Sequence, residues 1–337
     1  MSTVAAGVLS TTDRDLEFPV CPLCRGFDFD VVIERARDRV SRKDGDFQVH
    51  RCEGCGLVMT RPRPKAAALA LFYEGTYSGP GAGRARTVQA GIVGDWVARY
   101  RLRAVRNLQP LDQGQRLLDV GCGYGAFAAR ARRATGCEVV AVDIDAGCIA
   151  DALDAQYVRY VCGTLADLRL EPAQFDVITF FESLEHHAEP MQALRTAWDL
   201  LKPGGICVVE VPNFSGFWRP VFGTWWLPLL VPQHLVHFTP ATLRRSFDAA
   251  GFEPLSSHAA MFYPVESTAS LGLWLNERLG RPIRSYRLRW RRPDGVLLLA
   301  LLAVWWALVE LPSQALLALA GRTGHQLMGA RKSPAWK

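Results

Sequence analysis

At 337 residues, 49% hydrophobic and 10% aromatic, the chain can bury a full core, which excludes global disorder and leaves room for two domains or one with additions. Its formal charge of +6 is modest and unevenly placed. The first twenty residues lack the charged start and unbroken apolar run of a secretory signal. The nine cysteines suit a reducing compartment, so a cytoplasmic location is expected.

Residues 1–17 read as a flexible tail, and 18–64 as a small domain with short β-like runs such as Phe29–Ile33. Cys21-Pro-Leu-Cys24 and Cys52-Glu-Gly-Cys55 are separated by 27 residues, with Gly26 and Gly56 following. A Cys-x-x-Cys turn puts two thiolates on one side of a tight loop. Two such turns complete a tetrahedron around Zn²⁺ and leave no open position for substrate. The zinc is expected to be structural, because so short a segment has too little core to fold unaided.

Residues 65–108 read as a helical linker or cap: a short helix over 65–73, a Gly-rich break through Gly83, and a helix over 87–107. Apolar positions recur at helical spacing in the last (Ile92, Trp96, Val97, Tyr100, Leu102, Val105), and Pro110 closes it. Strands and helices then alternate. Strands are expected at 116–120, 138–142, 157–162, 175–181 and 206–211, and helices at 125–134, 146–155 and 191–201. Such repetition gives an α/β fold, with a doubly wound, mostly parallel sheet.

Leu117 to Gly125 is the most informative stretch. An apolar strand ends in glycines and a helix starts at once, so a ligand can approach bare backbone while N–H groups at the helix start favour a carboxylate or phosphate. Gly121, Gly123 and Ala126 also satisfy the dinucleotide pattern G-x-G-x-x-A. Asp143, 22 residues past Gly121, fits ribose binding for either ligand.

The order of motifs separates the two. It runs Asp119-x-Gly121-x-Gly123-x-Gly125, Val142-Asp143-Ile144-Asp145, Gly163-Thr-Leu-Ala-Asp-Leu168, Phe175-Asp-Val-Ile178 and Leu201-Lys-Pro-Gly-Gly205. In this order the chain resembles class I (Rossmann-like) S-adenosylmethionine-dependent methyltransferases. With the Cys pairs, His234-Leu-Val-His-Phe238 and Ala250-Gly-Phe252, it is similar to the zinc-knuckle-bearing bacterial members associated with sugar, polyketide or envelope pathways. The resemblance implies a seven-stranded sheet built from 109–261 and 324–333, the latter supplying a final antiparallel strand. It implies that the backbone at Gly121, Gly123 and Gly125 holds the methionine moiety, with Asp119 ordering the loop. Asp143 would grip the ribose and Ile144 would lie against the adenine, whose edge Leu165 and Asp167 would meet. Thr164 stands where the family carries an acidic residue.

A sulfonium methyl is already electrophilic, so catalysis needs alignment and, for a hydroxyl or amine acceptor, a base. Candidates lie in Glu182-Ser-Leu-Glu185-His186-His187, directly after the fourth strand, and in His234 and His237. Glu182, His186, His234 and His237 are the candidate catalytic residues, and a helix start or turn with local hydrogen bonds is the bland alternative. The Glu-x-x-Glu-His order also resembles ubiquinone-pathway O-methyltransferases, in which this stretch is associated with a divalent cation. Mg²⁺ is the weaker reading here.

Residues 262–323 read as a basic and apolar helical insertion. Arg278 to Arg292 holds seven Arg and no acid; Val296 to Leu311 is apolar apart from Glu310, and Ala315 to Ala320 is apolar again after Pro312. Sixteen residues fall short of the roughly 20 that span a bilayer. A peripheral membrane contact through 278–320 is therefore expected, with a capping helix pair, a homodimer interface or a true span as alternatives. The acceptor is read as a small-molecule or lipid-linked metabolite. Rival readings are an rRNA or tRNA methyltransferase with a zinc knuckle, a nicotinamide-dependent oxidoreductase and a non-catalytic cofactor-binding scaffold. The knuckle has little interleaving of basic and aromatic residues, which argues against a nucleic-acid partner.

Overall fold

The computed structural model describes residues 15–40, 43–73, 91–165, 167–168, 170–259, 265–278 and 293–333. Most of the expected tail, the Gly-rich break, the start of the helix expected from residue 87 and most of the Arg-rich stretch lie outside these residues.

In the N-terminal part, β1 (Leu16–Glu17) pairs with β5 (Arg63–Pro64), while β2 (Phe29–Ala36), β3 (Phe47–Cys52) and β4 (Val58–Thr60) form an antiparallel sheet. Helices α1 (Ala66–Tyr73) and α2 (Ile92–Leu108) follow. The main sheet then begins with β6 (Arg116–Val120), α3 (Ala126–Thr135), β7 (Glu138–Asp143), α4 (Ala146–Ala150), β8 (Arg159–Cys162) and β9 (Phe175–Phe181). After α5 (Pro190–Leu200) come β10 (Leu201–Pro212), α6 (Trp218–Phe222), β11 (Val236–His237), α7 (Pro240–Ala249) and β12 (Phe252–Ala259). The insertion holds α8 (Glu266–Arg278), α9 (Pro293–Trp305), a π-helical turn (Trp306–Glu310) and α10 (Leu311–Leu319), and β13 (His325–Lys332) ends the sheet.

The seven strands lie in the order β12-β13-β10-β9-β6-β7-β8, with β13 antiparallel to β10 and β12. Alternate residues serve two cores. Leu118, Val140, Ile178 and Val209 pack on one face with Leu194 and Ala197 of α5. Leu117, Val139, Val177 and Val208 pack on the other with Val105 of α2 and Ala128 of α3. Apolar runs buried on both faces are what a parallel sheet requires.

Three details depart from the sequence reading. The helix expected over 146–155 stops at Ala150, because the Leu153 N–H turns back to the Tyr124 carbonyl and Asp154 takes a left-handed φ of 53°. The Lys-Pro-Gly-Gly turn lies inside β10 as a register shift between Leu201 and Ile206. The apolar tail does not break at Pro312. The π-helical turn just before it lets α9 run on into α10, absorbing the ring that would otherwise crowd the preceding turn. Leu297–Leu319 is thus one 23-residue helix, about 35 Å long, which by length and composition is enough to cross a membrane. The expectation of sixteen residues underestimated it.

The small N-terminal sheet is not self-contained. β11, from the chain that follows β10, pairs with β4, so its order is β11-β4-β3-β2. Cys21, Cys52, Cys55 and Leu57 share a core with Leu184, Leu235 and Phe238. The insertion leaves and returns at the carboxyl edge of the parallel strands, where Ala259 pairs with Gln326 and His325 with Pro212.

Candidate active site

A cleft of about 1030 Å³ opens at that edge. Its floor is the turn between β6 and α3. Gly121 has φ 76°, and a Cβ there would run into the Ser183 side chain at the far wall. Gly125 has φ 79°, and a Cβ would strike the Tyr160 ring. Both must be glycine for the chain to turn this tightly. Several amide hydrogens of the loop are spent internally: those of Gly121 and Cys122 go to the Val142 carbonyl, and that of Gly123 goes to Asp143 Oδ2 at 2.8 Å. The donors left at this edge are those of the first turn of α3, whose Ala126 and Phe127 line the cleft.

Asp119 is buried and accepts from Thr179 Oγ1 at 2.7 Å. Burial pushes its carboxyl up to about 6, with the Thr179 hydrogen bond working against the rise. Asp143, last in β7, also accepts from the Asp145 N–H at 2.9 Å. Burial raises its pKa, and these backbone donors oppose the shift. The cleft wall includes Asp119, Gly121, Gly123, Asp143, Ile144 and Leu165. Gly125 lies behind the turn as the cap of α3, and exposed Asp167 accepts from the N–H and hydroxyl of Thr164 at 2.8 and 2.7 Å. Ile144 is 64% exposed, a bare apolar side chain at the mouth.

The opposite wall follows β9: Glu182 and Ser183, then His186 at the end of the 3-10 turn Leu184–His186, then Gln192 and Thr196 of α5. Glu182 and His186 line the cleft; His234 and His237 do not. Glu182 takes a left-handed φ of 56° and lies 3.4 Å from His325 Nε2. His186 Nδ1 lies 3.0 Å from the Gln233 carbonyl, and the Tyr73 hydroxyl is 2.9 Å from the same nitrogen. A carbonyl only accepts, so Nδ1 carries the hydrogen and Nε2 the lone pair. Burial lowers the pKa of His186 and keeps that lone pair free, against the pull of the Gln233 carbonyl. His234 Nδ1 meets the Pro228 carbonyl at 2.8 Å, which leaves its Nε2 lone pair free too. The two rings stand 4.6 Å apart.

Glu185 lies between them, wholly buried. Its Oε1 is 3.9 Å from His186 Nε2 and 3.8 Å from His234 Nε2, and among the described residues neither oxygen has a hydrogen-bond partner. Burial, and then the Glu182 charge, raise its pKa well above the usual carboxylate range. Two lone pairs and a carboxylate converge here within 4.8 Å, a set able to take a cation. His237 is elsewhere, buried on β11 with Nε2 3.1 Å from Thr60 Oγ1.

Sequence reasoning missed Arg101, Ser183 and His325. Arg101 of α2 lines the cleft, pairs with buried Glu210 at 2.7 Å and lies 4.8 Å over the Phe181 ring. No local spacing marks such residues, because sheet order alone brings them together.

At the N-terminal knuckles the two Cys-x-x-Cys turns are near copies. Arg25 and Gly56 N–H groups donate to the Cys21 and Cys52 carbonyls, and Cys21 and Cys52 N–H groups to the Gly26 and Leu57 carbonyls. The four sulfurs lie within 4.8 Å of one another, with Cys21–Cys55 and Cys24–Cys52 at 3.4 Å. That is too far for disulfides at about 2.0 Å and close to the roughly 3.8 Å edge of a sulfur tetrahedron around zinc.

A sheet of this order, its seventh strand reversed and its glycine turn facing an acid on the next strand, defines a Rossmann-like methyl-transfer fold. Residues 95–257 match the family model described as a methyltransferase domain. A ubiquinone biosynthesis O-methyltransferase of Azorhizobium caulinodans is 33% identical over 189 residues, 53% of this chain and 74% of that protein. One of Idiomarina loihiensis is 30% identical over 166 residues, 45% and 68% of the two chains. The structure of phosphoethanolamine N-methyltransferase 2 from Haemonchus contortus in complex with S-adenosyl-L-methionine aligns with TM-score 0.51 at 18% identity, over 91% of this chain and 68% of that one. The chain belongs to the class I S-adenosylmethionine-dependent methyltransferases, and S-adenosylmethionine is its cofactor.

Proposed function

We propose that the protein methylates an oxygen of a small, lipid-linked acceptor at the cytoplasmic face of a membrane, with His186 as general base. The observation that supports the base is that His186 lines the cleft above the cofactor turn and, among the described residues, has no hydrogen bond at Nε2. When bound, S-adenosylmethionine would supply an electrophilic methyl for the acceptor oxygen, with the carbon–sulfur electrons left on sulfur, and His186 would take the acceptor proton. The names of the relatives support oxygen as the acceptor atom. In this reading Gly121 and Gly123 present backbone to the methionine moiety, Asp143 takes the ribose hydroxyls, and Ile144 and Leu165 flank the adenine. Asp167 acts through Thr164, at the edge of that site. The knuckles hold a structural Zn²⁺ on Cys21, Cys24, Cys52 and Cys55, which fastens the N-terminal sheet.

Purified protein given labelled S-adenosylmethionine and cell extract should label the lipid fraction, and His186→Gln should abolish that labelling while still binding cofactor. Label confined to aqueous products, or full activity in the variant, would overturn the reading. The orphaned Glu185 carboxylate favours a second reading, a divalent cation held by Glu185, His186 and His234. It would polarise the acceptor hydroxyl, and the imidazole donors suit Mn²⁺, Fe²⁺ or Zn²⁺ better than Mg²⁺. Methyl transfer that is lost on chelation and restored by one of these ions would establish it.

A further inference from the structure

The helix from Leu297 to Leu319 has two unlike sides. Its charged and amide side chains, Glu310 and Gln314, face the protein. Buried Glu310 accepts from the N–H groups of Ser267 and Thr268 at 3.1 and 2.6 Å, from the Ser267 hydroxyl at 2.8 Å and from the Gln314 amide at 3.0 Å. Two of those donors are first-turn amides of α8, so the carboxylate caps that helix from outside. Trp305 Nε1 donates to the same Ser267 hydroxyl at 3.0 Å, and Leu302 packs at Gly272, where a Cβ would lie 3.6 Å from it.

The outward side carries no charge and no hydrogen-bonding side chain but the Trp306 indole. Leu297, Leu301, Val304 and Leu308 recur at helical spacing and are exposed by 53–72%, and Leu316 and Leu319 continue the face at 69% and 87%. Phe217, the cap of α6, and Val221 within it are exposed, and Trp218 of the same helix meets Trp305 at a tilt, ring centres 6.2 Å apart. An apolar strip about 35 Å long is far beyond the scattered apolar residues of a soluble surface. Arg278 ends α8 and Arg322 follows α10, and in sequence 279–292 carries six more Arg and no acid. An anionic bilayer supplies the charge that complements these arginines.

We infer that this helix lies flat in the headgroup boundary of an anionic bilayer. It sits there by its outward face and stays tied to α8 by its inward one. It does not cross, because crossing would strip Glu310 from the α8 amides and bring a carboxylate into hydrocarbon. The strip rises from the same sheet edge as the cleft, which suits an acceptor taken from the membrane. The inference rests on the proposed lipid-linked acceptor for its purpose but not for its test.

Full-length protein floated with phosphatidylcholine vesicles containing phosphatidylglycerol should co-migrate with them, and should release in high salt or on pure phosphatidylcholine. Carbonate washing should strip it, as it would not strip a spanning protein. Leu301→Glu with Leu308→Glu, and separately Leu316→Glu with Leu319→Glu, should weaken partition by roughly a hundredfold or more with unchanged melting temperature and cofactor affinity. The inference fails if the unaltered chain does not float, if both double variants float equally well, if it resists carbonate, or if the variants instead turn a dimer into a monomer. Methyl transfer to a water-soluble acceptor in a protein that ignores vesicles would sink this inference alone.

Discussion

Asp143 stands at the centre of the cleft by tying two backbone amides with one carboxylate. Each charge-assisted bond is worth about 1.5–3 kcal/mol, so Asp143→Ala should weaken cofactor binding at least tenfold, measured by calorimetry. Gly121→Ala combines a left-handed φ with a clash at Ser183, and should cost roughly 5–150-fold in the same measurement. His186→Gln should act differently, lowering kcat about 10²–10⁴-fold with cofactor affinity unchanged. Asp119 and Asp143 were legible in the sequence because each sits at a fixed offset from its own strand end. Arg101, Ser183 and His325 were not, since their positions depend on which strands become neighbours. Nor does a sequence show that Glu182 adopts a left-handed backbone beside a histidine from the last strand.

At the scale of elements, the two Cys-x-x-Cys turns were readable as a pair, because the chemistry of a thiolate tetrahedron demands that spacing. What they hold onto was not readable: a two-residue strand, β11, carries too little periodicity to be seen. The continuity of α9 and α10 was hidden for another reason, since Pro312 signals a break unless a π-helical turn precedes it. Cys52→Ser should remove one corner of the sulfur cluster. The expected outcome is loss of one bound zinc per chain, read by atomic absorption, with a lowered melting temperature. Glu310→Gln keeps the shape of the α8 cap but removes its charge. Its cost should be about 1–2 kcal/mol in urea unfolding, with the cofactor site intact.

For the molecule as a whole, acid is the condition that exposes its buried imidazoles. Burial pushes His237 down to about 3 and His187 down to about 4, whereas in the unfolded chain both titrate near 6.5. With the folded values lower, the unfolded chain takes up protons first. The stability these groups contribute is complete above pH 6.5 and drains away as the pH falls towards 4 and 3. By pH 5 the loss is about 2 kcal/mol per group, seen as a lower urea midpoint with an unchanged slope. The doubly wound sheet was legible from the alternation of apolar runs and glycine turns, whereas the joining of its parts was not. That joining bears on how the enzyme can be cut. A chain begun at residue 91 would keep the cofactor turn but strip β11 of the neighbour that shields its backbone, leaving raw hydrogen-bonding groups next to His234. Such a fragment should clump rather than report on turnover, so transplanting this enzyme's specificity onto another sheet calls for moving two distant pieces of chain together.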